Sequence, residues 1–187
     1  MDKEQNNSAT GTGTAAALSV DALRPLLEKG LGPDRLCLEI AGIFRVRLTE
    51  IALLRLEGKV LLFLFPEQLG ELGTIPLSSS SVAAKTATSR QLEIFNNFCE
   101  VKHATVFETV KLGSTHTRNA SVQLPIQKLM SVPILDGERV LGVLQISRKG
   151  LYMSSAGADF TQQDADQLKA VAKMLSKAAF MRQSEAK

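Results

Sequence analysis

Two hydrophobic spacings divide this chain. Near the N-terminus, Leu36, Ile40, Ile43 and Phe44 recur at helical intervals and predict an amphipathic helix over "DRLCLEIAGIFRV". Pro33 suits its first turn, where the missing amide would have no helical partner anyway. A shorter helix over "VDALRPLLEKG" is predicted to open at Ser19, to begin or kink at Pro25, and to end at Gly30. Beyond residue 48 the pattern changes. "TEIALLRL" (49–56) and "VLLFLF" (60–65) are apolar on successive residues, which predicts strands covered on both faces. Gly58 between them predicts a hairpin turn. Pro66 ends the second strand, "GTIPLS" predicts a third, and the serine run 78–81 caps a helix over "SVAAKTATS".

The second half is read the same way. "VPILDGERVLGVLQI" (132–146) predicts a hairpin with Asp136-Gly137 at its turn, and Gly142 marks a bulge or a close approach of another element. Thr161 and Asp164 form a capping-box pair opening a helix from 162 to about 182. Ala165, Leu168, Ala172, Leu175 and Ala179 make one apolar stripe on that helix. Val171, Met174, Ala178 and Met181 make a second, and the combined face is wider than one sheet contact requires. Helices at both ends and strands between give an α+β fold, with helices on both faces of a mostly antiparallel sheet.

Composition narrows the class. Residues 1–18 carry Asn, Ser, Thr, Gly and Ala without apolar periodicity and read as a disordered tail. Residues 183–187 form a polar C-terminal tail, leaving 19–182 as a single domain. The net charge of +3 comes from scattered Lys and Arg, with no basic face of the kind that binds nucleic acid. The apolar run at 60–65 is too short to span a membrane, and the N-terminus lacks the apolar core of a secretory signal. Two cysteines, Cys37 and Cys99, are too few for a disulfide framework and fit a reducing, cytoplasmic setting.

"VPILDGERVLGVLQISRKG", followed by "DFTQQDADQLKAVAKML", resembles the second half of a GAF domain. "EIALLRL" and "GTIPLSSSSVAAKTA" match the first half in order, so the resemblance covers roughly residues 33 to 182. "VKHATVFE" and "IQKLMSVP" are similar to segments of small bacterial proteins built from a single such domain. The resemblance implies a six-stranded antiparallel sheet with terminal helices on one face. On the other face, shorter helices and loops roof a small-molecule pocket, and the function implied is sensory or regulatory ligand binding.

Residues 95–108, "FNNFCEVKHATVFE", fall in that roof. Phe95, Asn97, Phe98, His103 and Phe107 of that segment, together with Met130 beyond it, are the candidate ligand-binding residues, combining apolar walls with a few polar groups. The family resemblance also implies a structural ion pair between Lys149 and Asp164. Arg148 and Ala165 stand where a cyclic-nucleotide signature would have Asn and Glu, so that ligand is not expected. Cys99 and His103 share a helical spacing, but no further ligands at a recognisable interval complete a metal site. The alternative enzyme is one resembling the GAF-type free methionine sulfoxide reductases, with His103 activating Cys99. Those enzymes place a cysteine soon after a histidine, whereas Ala104, Thr105, Val106 and Phe107 follow here, so no catalytic residue is assigned. No cofactor is named by the sequence. The expected partners are an unidentified small molecule, a second copy paired through the terminal helices, and a signalling protein; a ligand-free dimerisation module is the remaining alternative.

Overall fold

A computed structural model describes residues 19–71, 73–98 and 124–182; both expected tails lie outside them. Its elements are α1 (Leu23–Glu28), α2 (Pro33–Phe44), β1 (Ile51–Glu57), β2 (Val60–Phe65), α3 (Glu67–Gly70), β3 (Thr74–Pro76), α4 (Val82–Ser89), β4 (Glu93–Phe95), β5 (Ile126–Asp136), β6 (Arg139–Lys149) and α5 (Gln162–Leu175). The six strands form one sheet in the order β3-β2-β1-β6-β5-β4, with every neighbouring pair antiparallel. The α+β fold expected from the spacing forms, and its sheet has the six antiparallel strands that the resemblance implies.

The period of two along each strand sends alternate side chains to opposite faces. Leu53, Met130, Leu144 and Ile146 join Leu36, Ile40 and Phe44 of α2 and Leu168, Val171 and Leu175 of α5 in one core. Ala52, Leu54, Leu61, Phe63 and Val143 meet Ala83, Ala84 and Ala87 of α4 on the opposite face. Both faces are covered, which explains why β1 and β5 lack a polar side over most of their length.

The caps follow the sequence closely. Pro33 stands in the first turn of α2, Gly30 has a positive φ of 66°, and Ser81 Oγ accepts from the Ala84 amide at 3.2 Å to open α4. At α5, Thr161 Oγ1 accepts from Asp164 N at 3.2 Å while Asp164 Oδ2 accepts from Thr161 N at 2.7 Å. Asp164→Ala is expected to lower stability by about 1 kcal/mol, read as a lower urea midpoint at unchanged slope.

Three boundaries move. In the second hairpin Asp136 pairs with Arg139, so the turn residues are Gly137 and Glu138, and the strands run from 126 to 149. α5 ends at Leu175 and is followed by a 3-10 turn at Ala179–Met181, instead of continuing to 182. The second stripe is also not surplus surface. Val171, Ala178 and Met181 are buried in the helical-face core, and Leu23 of α1 is buried in the same cluster. The first helix thus packs beside three of the four residues of that stripe, while Met174, the fourth, stays half-buried.

Candidate functional site

The face under α4 carries a row of polar side chains across three strands. Glu93 of β4 pairs with Ser131 of β5, and Ser131 pairs with Gln145 of β6. Directly opposed residues in an antiparallel sheet share a face, so the three side chains stand side by side. Thr86 of α4 donates to Ser131 Oγ at 2.7 Å, and Gln145 Nε2 donates to the same oxygen at 3.1 Å. Ser131 accepts twice, which leaves its own O–H as a donor. Lys85, the neighbour of Thr86 on α4, reaches Glu93 Oε1 at 2.5 Å. Glu93 Oε2 is buried and, among the described residues, has no hydrogen-bond partner.

This row divides the face. On one side lies the alanine-rich contact with α4; on the other, Val82, Phe98, Ile126 and Leu129 form a separate cluster with Phe95 packed on it. Phe95 and Phe98 meet edge to face, with ring centroids 5.9 Å apart.

The candidate residues separate accordingly. Phe95 and Phe98 come together beside the polar row. Asn97 is half-buried in the same loop, while its neighbour Asn96 is structural: Asn96 Nδ2 donates to Phe160 O at 3.0 Å and Asn96 Oδ1 accepts from Phe160 N at 2.8 Å. Met130 does not belong with them. It pairs with Ile94 and Ile146 and faces the terminal-helix core, because one step along β5 from Leu129 reverses the face. His103 and Phe107 lie outside the described residues, as does Cys99.

Lys149 and Asp164 do not form the expected pair. Asp164 is committed to the cap of α5, whereas Lys149 Nζ donates to Thr49 O at 2.7 Å and its backbone N donates to Glu50 Oε1 at 2.6 Å. The ion pair near the start of α5 is instead Lys128–Asp159, 2.7 Å apart, with Lys128 Nζ also donating to Gly157 O at 2.6 Å. Arg148 lies over the Phe160 ring at 4.8 Å. Two residues side by side on one strand point to opposite faces, so of Arg148 and Lys149 it is Arg148 that, with Lys128, reaches the loop before α5.

Glu50 is the buried acid of this end of the sheet. It accepts from Arg47 N and Arg47 Nη2, each at 2.7 Å, as well as from Lys149 N. Burial raises its carboxyl pKa, but the hydrogen bonds from Arg47 and Lys149 outweigh that and hold it below the usual carboxylate range. Burial lowers the Lys149 pKa, and the Arg47 charge adds to this against the pull of Glu50. Cys37 is fully buried in the helical-face core, where burial pushes its thiol up, opposite to what a nucleophile needs.

The chain belongs to the GAF domain family, whose model matches residues 33–179. Solved structures agree on the fold. The GAF domain of an Acinetobacter phosphoenolpyruvate-protein phosphotransferase is 14% identical, with 85% of this chain and 89% of that one covered and a TM-score of 0.62. A methyl-accepting chemotaxis protein, residues 122 to 287, is 18% identical over 84% of this chain and 94% of its own, at a TM-score of 0.60. The reduced form of fRMsr of Staphylococcus aureus is 15% identical over 85% and 92%, at 0.53. At these identities the likeness is one of fold alone. No curated protein matches the chain. Among the described residues no helix is long and apolar enough to cross a membrane.

Glu93, Ser131, Gln145 and Thr86 were absent from the sequence-derived site. Their signal was present: Ser131 and Gln145 are the polar positions inside the apolar runs "LMSVPIL" (129–135) and "VLGVLQI" (140–146). In a sheet covered on both faces, such a position must be buried and must find a partner.

Proposed function

We propose that this domain is a small-molecule-binding regulatory module, with its ligand beside α4 against Glu93, Phe95 and Phe98. The supporting observation is the buried polar row with one carboxylate oxygen left unpartnered among the described residues. A buried carboxylate oxygen without a donor is costly, and a purely structural sheet face would be apolar there. Glu93 Oε2 offers an acceptor, the Ser131 hydroxyl a donor, and the two phenylalanines an apolar wall. That set fits a ligand carrying an amine, amide or hydroxyl on an apolar body. The binding signal passes to a partner protein or to a second copy. Pairing of copies draws on the helical-face groups left accessible, Leu38 at 45% exposure and the half-buried Met174 and Phe180.

A thermal-shift screen of amines, amides and nucleobases, with native mass spectrometry of the purified chain, tests this reading. A ligand at a hundred times its Kd adds about 2.7 kcal/mol of stability. Glu93→Gln and Phe95→Ala are expected to abolish the shift. A ligand shift that neither variant alters places binding elsewhere, and no shift with any compound favours a ligand-free pairing module.

A further inference from the structure

A second concavity lies at the far end of β6, and it shares no residue with the polar row. The segment 45–47 that follows α2, the 3-10 turn Leu48–Glu50, and the loop 150–157 enclose a cleft of about 610 Å³. That is within the size range of small-molecule sites, roughly 300–1,000 Å³. Its charged lining is Arg45, Arg47, Arg148 and Lys149 against the single acid Glu50.

Glu50 is already saturated by three hydrogen bonds from Arg47 and Lys149, and Lys149 Nζ is turned to Thr49 O. Among the described residues, the two remaining guanidiniums have no carboxylate partner. Arg45, held at the C-terminal end of α2 in the left-handed conformation (φ 52°), is exposed, and among the described residues no carboxylate pairs with it. Arg148 has no carboxylate partner among them either, and its Nε is buried without a hydrogen-bond acceptor. Stacking on Phe160 explains the placement of the Arg148 side chain but leaves that donor unsatisfied. The loop also approaches this cation closely: a Cβ on Gly157 (φ 87°) would stand 3.2 Å from Arg148 Nη1.

The walls are apolar. Val46, Leu124, Leu151 and Ala156 line the cleft. Leu151 is 62% exposed and Tyr152 72%, and with Leu48 and Met153 they make up four of the five large apolar side chains left exposed among the described residues. All four sit on the segments that enclose the cleft. Arginine forks suit phosphate and carboxylate oxygens, and exposed apolar side chains at the rim suit a non-polar substituent.

We propose that this cleft binds a small ligand in which a phosphate or carboxylate group is joined to an apolar body, with Arg45 and Arg148 holding the oxyanion and Leu151 the apolar part. Titration calorimetry of the full chain with phenyl phosphate and with inorganic phosphate at low salt tests it, alongside amide NMR shifts of Gly150 and Gly157. Phenyl phosphate is expected to bind more tightly than phosphate and to move both amides. Arg45→Glu and Arg148→Gln each weaken phenyl phosphate tenfold or more, while Leu151→Ser weakens phenyl phosphate and leaves phosphate unchanged. Arg45 is an exposed helix-end residue, so its variant keeps the test valid if Arg148→Gln does not fold. Failure of both probes to bind, or binding unaffected by Arg45→Glu, overturns the proposal. So does Arg45-dependent binding to phosphatidylglycerol vesicles without phenyl phosphate binding, which would make this a membrane-surface contact.

Discussion

Gly142→Ala is expected to lower the stability of the domain by about 3 kcal/mol or more, at the upper end of what overpacking costs. Gly142 lies in β6, between Arg55 of β1 and Ile134 of β5 in the ladder. A Cβ there would fall 2.0 Å from the Leu54 carbonyl oxygen and 2.7 Å from Met181 Cε. The methionine can turn aside; the carbonyl belongs to the central strand pair and cannot move without opening it. Domains of this kind are stable by about 5–15 kcal/mol, so the loss is a large share of the total. Gly137→Ala is the comparison. Gly137 has a positive φ of 59° but nothing within 4 Å of its would-be Cβ, so only backbone strain of about 1–2 kcal/mol is expected. Urea denaturation of both variants separates the two causes, and equal losses would exclude the clash.

Glu50→Ala is the second large effect, at about 3 kcal/mol. Removing the carboxylate strands the part-buried Arg47 and Lys149 amides, and an unsatisfied buried donor costs about 1–3 kcal/mol; the exposed Arg47 guanidinium keeps its bond to Lys149 O and adds little. Glu50→Gln keeps one acceptor oxygen and is expected to lose less. The pH dependence has a definite sign. Because the folded carboxyl titrates below its ordinary value, the unfolded chain binds more protons as the medium is acidified. The Glu50 contribution is therefore complete above the unfolded pKa of about 4.3 and is lost as pH falls through the lower folded value. Subtracting the Glu50→Gln stability from that of the wild type between pH 7 and pH 3 isolates it. A difference that does not shrink over that range would contradict the bonding pattern.

How much of this was legible depended on the physical range of each signal. Local signals carried well: Pro33, Ser81, the Thr161–Asp164 box and the apolar strands each act within a few residues. The long helix to 182 failed because apolar spacing continues through Ser176 and Lys177, while the backbone leaves the helix there and resumes as a 3-10 turn. The site was harder. Met130 counts among the apolar walls expected of the pocket, yet a one-residue step in a strand decides the face, and only the register with Ile94 and Ile146 fixes it. Glu93, Ser131 and Gln145 are 38 and 14 residues apart, and nothing local announces that three strands bring them into line.

The strand order has a consequence for how the chain acquires its structure. β1–β3 and β4–β6 are two three-stranded groups, joined only where β1 meets β6, with Ile51 opposite Ile146. Hairpins within each group close in roughly microseconds, but the seam must bring together segments nearly a hundred residues apart, and such distant pairing slows folding. While a ribosome is still making the second group, β1 presents "IALLRL" as an open edge with apolar side chains on both faces. Such an edge invites pairing with other nascent chains until β6 arrives. Pulsed hydrogen exchange during refolding should accordingly protect the β1–β2 amides before those shared by β1 and β6.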